Sequence, residues 1–344
     1  MASQQKTTGT MPRVLVFGSA NMDTFVYLDA LPRPGETVFG HGGSSGLGGK
    51  GANQAVAAEK LGVQVDLIGR LGTDEAGNTL RRLLASQGVG TSGMLASATS
   101  RTGTAQVTVD GSGENTVVVV SGANAEVGPE ALEAHEVAAA LRDVATTVGL
   151  AQGELPAHAV AAFALVCRDH SIRFVLNLAP VIDVPLATLS AADPLILNEG
   201  EALELHRRLA PDTAVAPGSG SAVDDVGRLA ADLADKFAAS VVITLGERGA
   251  IASAGEATWH QPAPQSGKVV DTTGAGDAFV GAVAARLAHG DDLRAAVRWG
   301  TAAGSLAVTT PGTSDSYRGL AALEVDENGT PNPRVLCLDD QVVA

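Results

Sequence analysis

Asp271-Thr272-Thr273-Gly274-Ala275-Gly276-Asp277, followed at once by Ala-Phe-Val-Gly-Ala-Val, reads as a turn that opens a helix. A helix start leaves its first N–H groups without intrahelical partners and carries partial positive charge. Gly274 and Gly276 lack a Cβ, so a ligand can approach those amides closely. Asp277 stands at the rim as a carboxylate. Phosphoryl transfer to an alcohol needs donors for the phosphoryl oxygens and an acceptor for the hydroxyl proton. The same residues also suit a plain turn in which Gly and Asp only cap the helix. The rest of the chain decides between the two.

Outward from this turn, short apolar runs alternate with helix-like stretches. Residues 14–17, 65–68, 163–167, 174–176, 195–197 and 241–245 read as buried strands. Residues 52–61, 76–87, 129–141, 156–164, 201–209, 226–237, 277–289 and 293–308 read as helices. In 277–289, Phe279, Val283 and Leu287 share one face, as a packed helix requires. This alternation predicts an α/β fold whose mostly parallel sheet is covered on both faces. Two segments break the rhythm. Residues 23–46 are rich in Gly and Pro, and residues 102–121 carry two β-prone runs around Gly-Ser-Gly, a hairpin signal. Together they predict a small β-sheet projecting from the core, placed to keep water from a cleft. One domain is expected over 13–320, with a loose polar tail at 1–12, a surface loop at 211–225 and a C-terminal extension at 321–344 without helical period.

Composition narrows the function classes. The chain has 344 residues, 45% of them hydrophobic, enough to bury a sizeable core. Its formal net charge of -15 repels polyanions, so DNA or RNA is not an expected partner. Aromatic residues make up 3%, too few for a base-stacking platform. Cys167 and Cys337 cannot build a disulfide framework, and a reducing cytoplasm is the expected compartment. No apolar stretch reaches the length of a membrane span.

Gly46-Leu47-Gly48-Gly49-Lys50-Gly51 matches the dinucleotide pattern G-x-G-x-x-G, which carries weight only directly after a strand. Residues 41–45 do not read as one, and Asp66 lies inside a strand rather than at its end, so that reading is set aside. A phosphate-binding P-loop fails as well: Ser44 holds the first required Gly position, and Gly51 replaces the Ser or Thr after the Lys. What remains is a Gly-rich helix start, either ordinary or one that brings the backbone to a polar ligand faced by Asn53. Asn21 and Asp23 lie near the end of the first strand, where open α/β sheets bind ligands, although both residue types also form turns. Asn198, Gly200 and Glu201 follow another strand; Glu201 suits a hydrated Mg²⁺ held through water, or a helix cap. Thr244-Leu245-Gly246 closes a further strand at a place suited to a nucleotide, and the seven histidines show no metal-ligand spacing.

Taken together, these residues resemble the PfkB (ribokinase-like) carbohydrate kinases over roughly 14–316. The likeness rests on Gly-Ser-Ala-Asn-Met-Asp at 18–23, Pro-Gly-Glu-Thr at 34–37, Gly-Gly-Lys-Gly-Ala-Asn-Gln-Ala at 48–55, Gly-Ala-Asn-Ala at 122–125, Asn-Glu-Gly-Glu at 198–201, Ile-Thr-Leu-Gly at 243–246 and the opening motif. It implies a three-layer α/β/α core with a β-lid, joined lid-to-lid in a homodimer, and transfer of the ATP γ-phosphoryl group to a primary sugar hydroxyl. It also implies roles. Asp277 becomes the catalytic base, and the amides of Gly274, Ala275, Gly276 and Asp277 the anion hole. Asn21, Asp23, Gly49, Lys50, Asn53 and Glu154 become sugar ligands. Asn198 and Glu201 organise phosphate and Mg²⁺, while Thr244, Gly246 and Gly276 lie along ATP. A monovalent cation, K⁺, falls to Asp271, Thr273, Ala307, Thr310, Gly312 and Ser316. The dense polar ligand set favours ribose, phosphorylated at the 5-hydroxyl, over deoxyribose, fructose or adenosine. Ala105, Val107 and Val117 on the lid hairpin are expected to cover the sugar's apolar face. A non-catalytic sensor on the same fold is a further alternative, disfavoured by Asp277.

Overall fold

A computed structural model of the chain describes residues 11–111, 115–211, 222–325 and 331–333. In chain order its elements are β1 Arg13–Phe17, β2 Asn21–Tyr27, β3 Gly42–Gly48, α1 Lys50–Glu59, β4 Gln64–Gly72, α2 Glu75–Ser86, β5 Met94–Ser97, β6 Gly103–Val109 and β7 Asn115–Val120. Then come α3 His135–Leu141, β8 Thr146–Gln152, α4 Ala157–Asp169, β9 Arg173–Asn177, α5 Leu186–Ser190, β10 Ala192–Asn198 and α6 Glu199–Leu209. The series ends with α7 Ala222–Lys236, β11 Ser240–Thr244, β12 Ala250–Ala254, β13 Ala257–Gln261, α8 Ala275–Ala288, α9 Leu293–Ala307, β14 Leu323–Val325 and β15 Pro331–Pro333.

Nine strands form the main sheet in the order β13-β12-β11-β10-β9-β8-β1-β4-β5. From β11 to β5 every pairing is parallel; β12 and β13 add an antiparallel edge. Side chains alternate between the two faces, and both faces are buried. Val14 and Val16 join a cluster with Val56, Val280 and Val297 from α1, α8 and α9. Leu15 and Phe17 join another with Phe163, Leu205 and Leu233 from α4, α6 and α7. Burial on both sides is why β1 reads as a continuous apolar run rather than an alternation.

Three expectations are corrected. Residues 163–167 are not a strand but the middle of α4, where Val160, Phe163, Ala164 and Cys167 are buried at helical spacing. A short unbroken apolar run cannot by itself separate a buried strand from a buried helix. The strand at this point of the sheet is β8, whose Thr-Thr-Val-Gly-Leu-Ala-Gln is diluted by Thr, Gly and Gln. The helix expected over 129–141 is a short 3₁₀ turn at Pro129–Leu132 and then α3, separated by Ala134 in an extended conformation. And a strand, β3, does run directly into the Gly46–Gly51 segment. It pairs antiparallel with β2 in a separate sheet, so the segment still lacks the parallel strand that a dinucleotide turn requires.

The projecting sheet is as expected. It has four strands in the order β3-β2-β6-β7, with β6 and β7 forming the hairpin. Register places Asp23 beside Ala105 and Val119, and Phe25 beside Val107 and Val117, so these residues share one face. Ala105 and Val107 are buried, while Val117 is half exposed. Most of the 211–225 loop and most of the 321–344 extension lie outside the described residues; β14 and β15 form a small hairpin at its start. Among the described residues no helix is long and apolar enough to cross a membrane.

Candidate active site

The carboxyl ends of the parallel strands share one edge of the sheet. Gln152 is in register with Asn177, and Asn198 with Thr244, so four polar side chains line that edge at the ends of β8, β9, β10 and β11. The lid strands leave the core beside it. Gly49 joins β3 to α1 at φ 86°, and a Cβ there would come within 3.0 Å of both Asn21 N and Ala20 Cα. Only Gly fits such a positive φ at so close an approach.

Helix α8 starts at the same edge. Its N-cap, Gly274, is left-handed at φ 76° and offers no side-chain cap. Ala275 N–H turns back to Thr272 O at a long 3.3 Å. The N–H groups of Gly274, Gly276 and Asp277 meet no acceptor among the described residues. A Cβ on Gly276 would enter open space, so this is an uncovered helix terminus suited to an anion. Tyr317, fully buried, donates its hydroxyl to Gly274 O at 3.1 Å and holds the left-handed turn in place. Burial and the nearby Asp277 carboxylate push the Tyr317 phenol well above its ordinary range, so it stays a donor.

Asp277, in the first turn of α8, is buried yet ordered by two neighbours on α1. Asn53 Nδ2 donates to its Oδ2 at 3.0 Å, and Gln54 Nε2 to its Oδ1 at 2.9 Å. Its charge acts on Asp23, Glu201 and the cation Lys50, and Glu154 acts in turn on Asp23 and Lys50. Asp277 above all, with Glu154 and Glu201, raises the Lys50 ammonium above its usual range despite burial. Burial pushes the Asp23 carboxyl up to about 7, helped by the charges of Glu154 and Asp277. Burial also raises Glu201, opposed by the Asn198 N–H and by Lys50.

Two of the expected sugar ligands carry a buried acceptor with no partner: Asp23 Oδ1 and Asn53 Oδ1. Each is costly to leave unmade, so each calls for a donor from a ligand. Asn21 is otherwise engaged. Its Oδ1 accepts from Asn124 Nδ2 at 2.7 Å, and Asn124 Oδ1 in turn accepts the Ala20 N–H at 3.1 Å. Glu154 closes the start of α1, accepting from Lys50 N–H at 3.0 Å and from the Ser19 hydroxyl. The sequence motifs therefore converge, and the structure adds Ser19, Gln54, Asn124, Gln152, Asn177 and Tyr317 to them.

The nucleotide side is more open. Asn198 caps α6 by accepting from Glu201 N–H, while its own N–H donates to Glu201 Oε2, each at 2.8 Å. The alternative cap reading of Glu201 is thus realised as a reciprocal capping box. Glu201 Oε1 has no hydrogen-bond partner among the described residues and fits an outer-sphere contact to a hydrated Mg²⁺. Thr244 and Gly246 lie at the end of β11.

The residues expected around K⁺ are joined by one hydrogen-bonded loop. Val308 O accepts from Val270 and Asp271, and Asp271 accepts from Thr273 N and Gly312 N, both at 2.9 Å. Ala307 O accepts from Thr310 N, and the Ser316 hydroxyl donates to Thr313 O. Both Asp271 oxygens are thus occupied, and main-chain carbonyls are the donors this loop has left, an all-oxygen set that fits a weakly bound monovalent cation.

Comparison with known proteins shows the family. A profile of the pfkB family carbohydrate kinases matches residues 11–318. The chain belongs to the pfkB carbohydrate kinase family. It is similar to a ribokinase from Bacillus subtilis, 35% identical over 302 residues, which span 88% of this chain and 94% of that protein. It is also similar to a deoxyribokinase from Salmonella typhimurium, 31% identical over 88% of this chain and 95% of that one. Among solved structures, Arabidopsis thaliana ribokinase complexed with ribose and ATP superposes with a TM-score of 0.77 at 28% identity, covering 90% of this chain and 96% of that one.

Proposed function

We propose that this chain transfers the γ-phosphoryl group of ATP to the 5-hydroxyl of D-ribose, giving ribose 5-phosphate. One observation carries the reading: Asp277 sits buried and oriented between Asn53 and Gln54, directly beside the open N–H groups of Gly276 and of its own residue. The sugar hydroxyls bind Asp23 Oδ1 and Asn53 Oδ1, which lack other donors, and Glu154, Asn21, Gly49 and Lys50 complete the pocket. Ala105 and Val107 cover the apolar face of the sugar from the lid. Asp277 accepts the proton of the 5-hydroxyl as its oxygen attacks the γ-phosphorus. The amides of Gly274, Gly276 and Asp277 receive the oxygens of the transferring group, and Lys50 supplies the local positive charge. ATP lies along Thr244, Gly246 and Asn198. Glu201 would hold Mg²⁺ through water, which would neutralise phosphate charge, and the Asp271–Ser316 loop would hold K⁺, which would add further positive charge.

The site holds several carboxylates against one ammonium, so these cations and the helix terminus are needed to admit a polyanion. A second copy of the chain on the lid is part of the proposal. Strand β7 carries Val117, Val118, Val119 and Val120, each at least half exposed, on an edge with no further strand among the described residues. An apolar edge of this kind is normally covered. The protein is placed in the cytoplasm, in keeping with a buried free Cys167.

The discriminating assay is ADP release with ribose, deoxyribose, fructose, adenosine and fructose 6-phosphate in turn. Ribose is expected to give the highest kcat/KM, because unpaired acceptors reject an analogue lacking a hydroxyl. A preference for deoxyribose would move the chain toward the deoxyribokinase to which it is similar. ADP release with no sugar would count against the transfer reaction.

A further inference from the structure

Gln54 occupies no part of the proposed sugar or nucleotide pocket, yet it is fully buried at the centre of a chain of amides that ends on Asp277. The polarity of that chain is fixed from its far end. Ile196 O is a main-chain carbonyl and can only accept, so Asn177 must present Nδ2 to it, at 3.0 Å. Asn177 Oδ1 is then turned toward Gln54, which must answer with Nε2, at 2.8 Å. The second hydrogen of the same Nε2 reaches Asp277 Oδ1 at 2.9 Å. Gln54 Oε1 points away from the site and accepts from Gln152 Nε2 at 2.9 Å. A flipped Gln54 would set its acceptor against Asn177 Oδ1 and Asp277 Oδ1, so one orientation survives.

Packing holds the chain in place. Gly281 of α8 lies against α1, and a Cβ there would come within 2.6 Å of both Gln54 O and Ala57 Cβ. The close helix contact is what lets a side chain of α1 reach the first turn of α8.

We propose that Gln54 is a positioning residue for phosphoryl transfer: it fixes the plane of the Asp277 carboxylate and occupies Oδ1, so that the remaining lone pairs face the attacking hydroxyl. The inference rests on the reading of Asp277 as the base. Asn53 alone, holding Oδ2, would leave the carboxylate free to rotate about that single bond. The charged or titratable groups facing Asp277 come from four other places, Lys50 at the start of α1, Asp23 on β2, Glu201 on α6 and Tyr317 after α9, while Glu154 after β8 faces Lys50 and Asp23. Gln54 and Asn53 are the uncharged groups that orient the carboxylate among them, and Gln54 is the one outside the sugar pocket.

The test uses the full chain with three variants, each checked by circular dichroism and thermal melting. Gln54→Met keeps the length and removes the donor. Its kcat is expected to fall by about one to two orders of magnitude, with the KM for ribose within about threefold. Gln54→Glu places a second carboxyl against Asp277; the acid limb of its kcat–pH profile is expected to move to higher pH, as it must if residue 54 faces the group whose ionisation sets kcat. Gln152→Met, one link further out, is expected to lower kcat less than Gln54→Met and serves if the first variant does not fold. Folded Gln54→Met with wild-type kcat, or Gln54→Glu with an unmoved acid limb, would overturn the inference. So would a wild-type kcat for Gln152→Met together with an unmoved limb in Gln54→Glu, if Gln54→Met does not fold. Asp277→Asn, run alongside, separates the two readings: if it retains turnover, the base assignment fails; if it is inactive while Gln54→Met is normal, only the positioning role fails.

Discussion

Helices α1 and α8 begin alike and end up doing different work. Each starts on a Gly with positive φ, Gly49 and Gly274, and neither has a side-chain cap of its own. Elsewhere in the core, α2, α6 and α9 are capped by Asp74, Asn198 and Asp292. The first amides of α1 are nevertheless taken: Glu154 accepts from Lys50 N–H, the Ser19 hydroxyl from Gly51 N–H, and Ser19 O from Ala52 N–H. At α8, Ala275 N–H turns back to Thr272 O, and the N–H groups of Gly276 and Asp277 are left open. A helix start closed by its own protein anchors side chains, here Asn53 and Gln54. A helix start left open is reserved for an incoming anion. The two helices pack together so that the side chains of the first meet the carboxylate of the second.

The sharpest way to break this contrast is at its meeting point. Asp277→Asn should lower kcat for ribose-dependent ADP release by about 10²- to 10⁴-fold, with ribose affinity by calorimetry within a few-fold. Next in size is Gly274→Ala. The added Cβ would lie 2.7 Å from the Tyr317 hydroxyl at a positive φ. It should cost about 1–2 kcal/mol in a denaturant melt and cut kcat by at least about tenfold, as the open amides move.

Asp23 gives a pH signature on the α1 side of the site. Its carboxyl, raised to about 7, is partly protonated at neutral pH, whereas a sugar hydroxyl donates best to the charged form. Sugar binding therefore releases a proton, and affinity falls as pH drops through that value. Ribose should bind up to about tenfold more weakly near pH 6 than near pH 8, and Asp23→Asn should flatten the dependence. The sign for stability is the reverse. A carboxyl raised by folding disfavours the native state most above its folded pKa, so the unliganded protein should gain stability as pH falls from about 7 toward 4. The smallest effect belongs to a capped helix. Asp292→Ala removes the acceptor for Ala295 N–H and should cost about 1 kcal/mol of stability while leaving kcat within about twofold.

Much of this arrangement was legible in the chain. The apolar runs of β1, β4, β9, β10 and β11, the lid hairpin and the helix-opening turn at Gly274 are local patterns. So was the capping box at Asn198 and Glu201, since Asn-x-x-Glu carries its own geometry. The oriented base was not. Gln54 and Asn177 lie 123 positions apart, Gln54 and Asp277 lie 223 apart, and nothing in either local sequence marks the partner. Strand β8, which delivers Gln152 and the turn bearing Glu154, hides behind Thr and Gly. Residues 163–167 look more strand-like than β8 does, because α4 is buried on a wide face. Glu154 was accessible only through family resemblance, and its role in closing α1 only through the fold.

The central claim is that Asp277 faces the attacking hydroxyl while the open α8 amides face the phosphoryl group. A crystal structure with ribose and a non-hydrolysable ATP analogue tests it most directly. The account predicts the 5-hydroxyl oxygen within hydrogen-bond reach of an Asp277 carboxylate oxygen and the γ-phosphoryl oxygens on the N–H groups of Gly276 and Asp277. A γ-phosphoryl group seated at the start of α1, or a ribose whose 5-hydroxyl lies out of reach of Asp277, would contradict it.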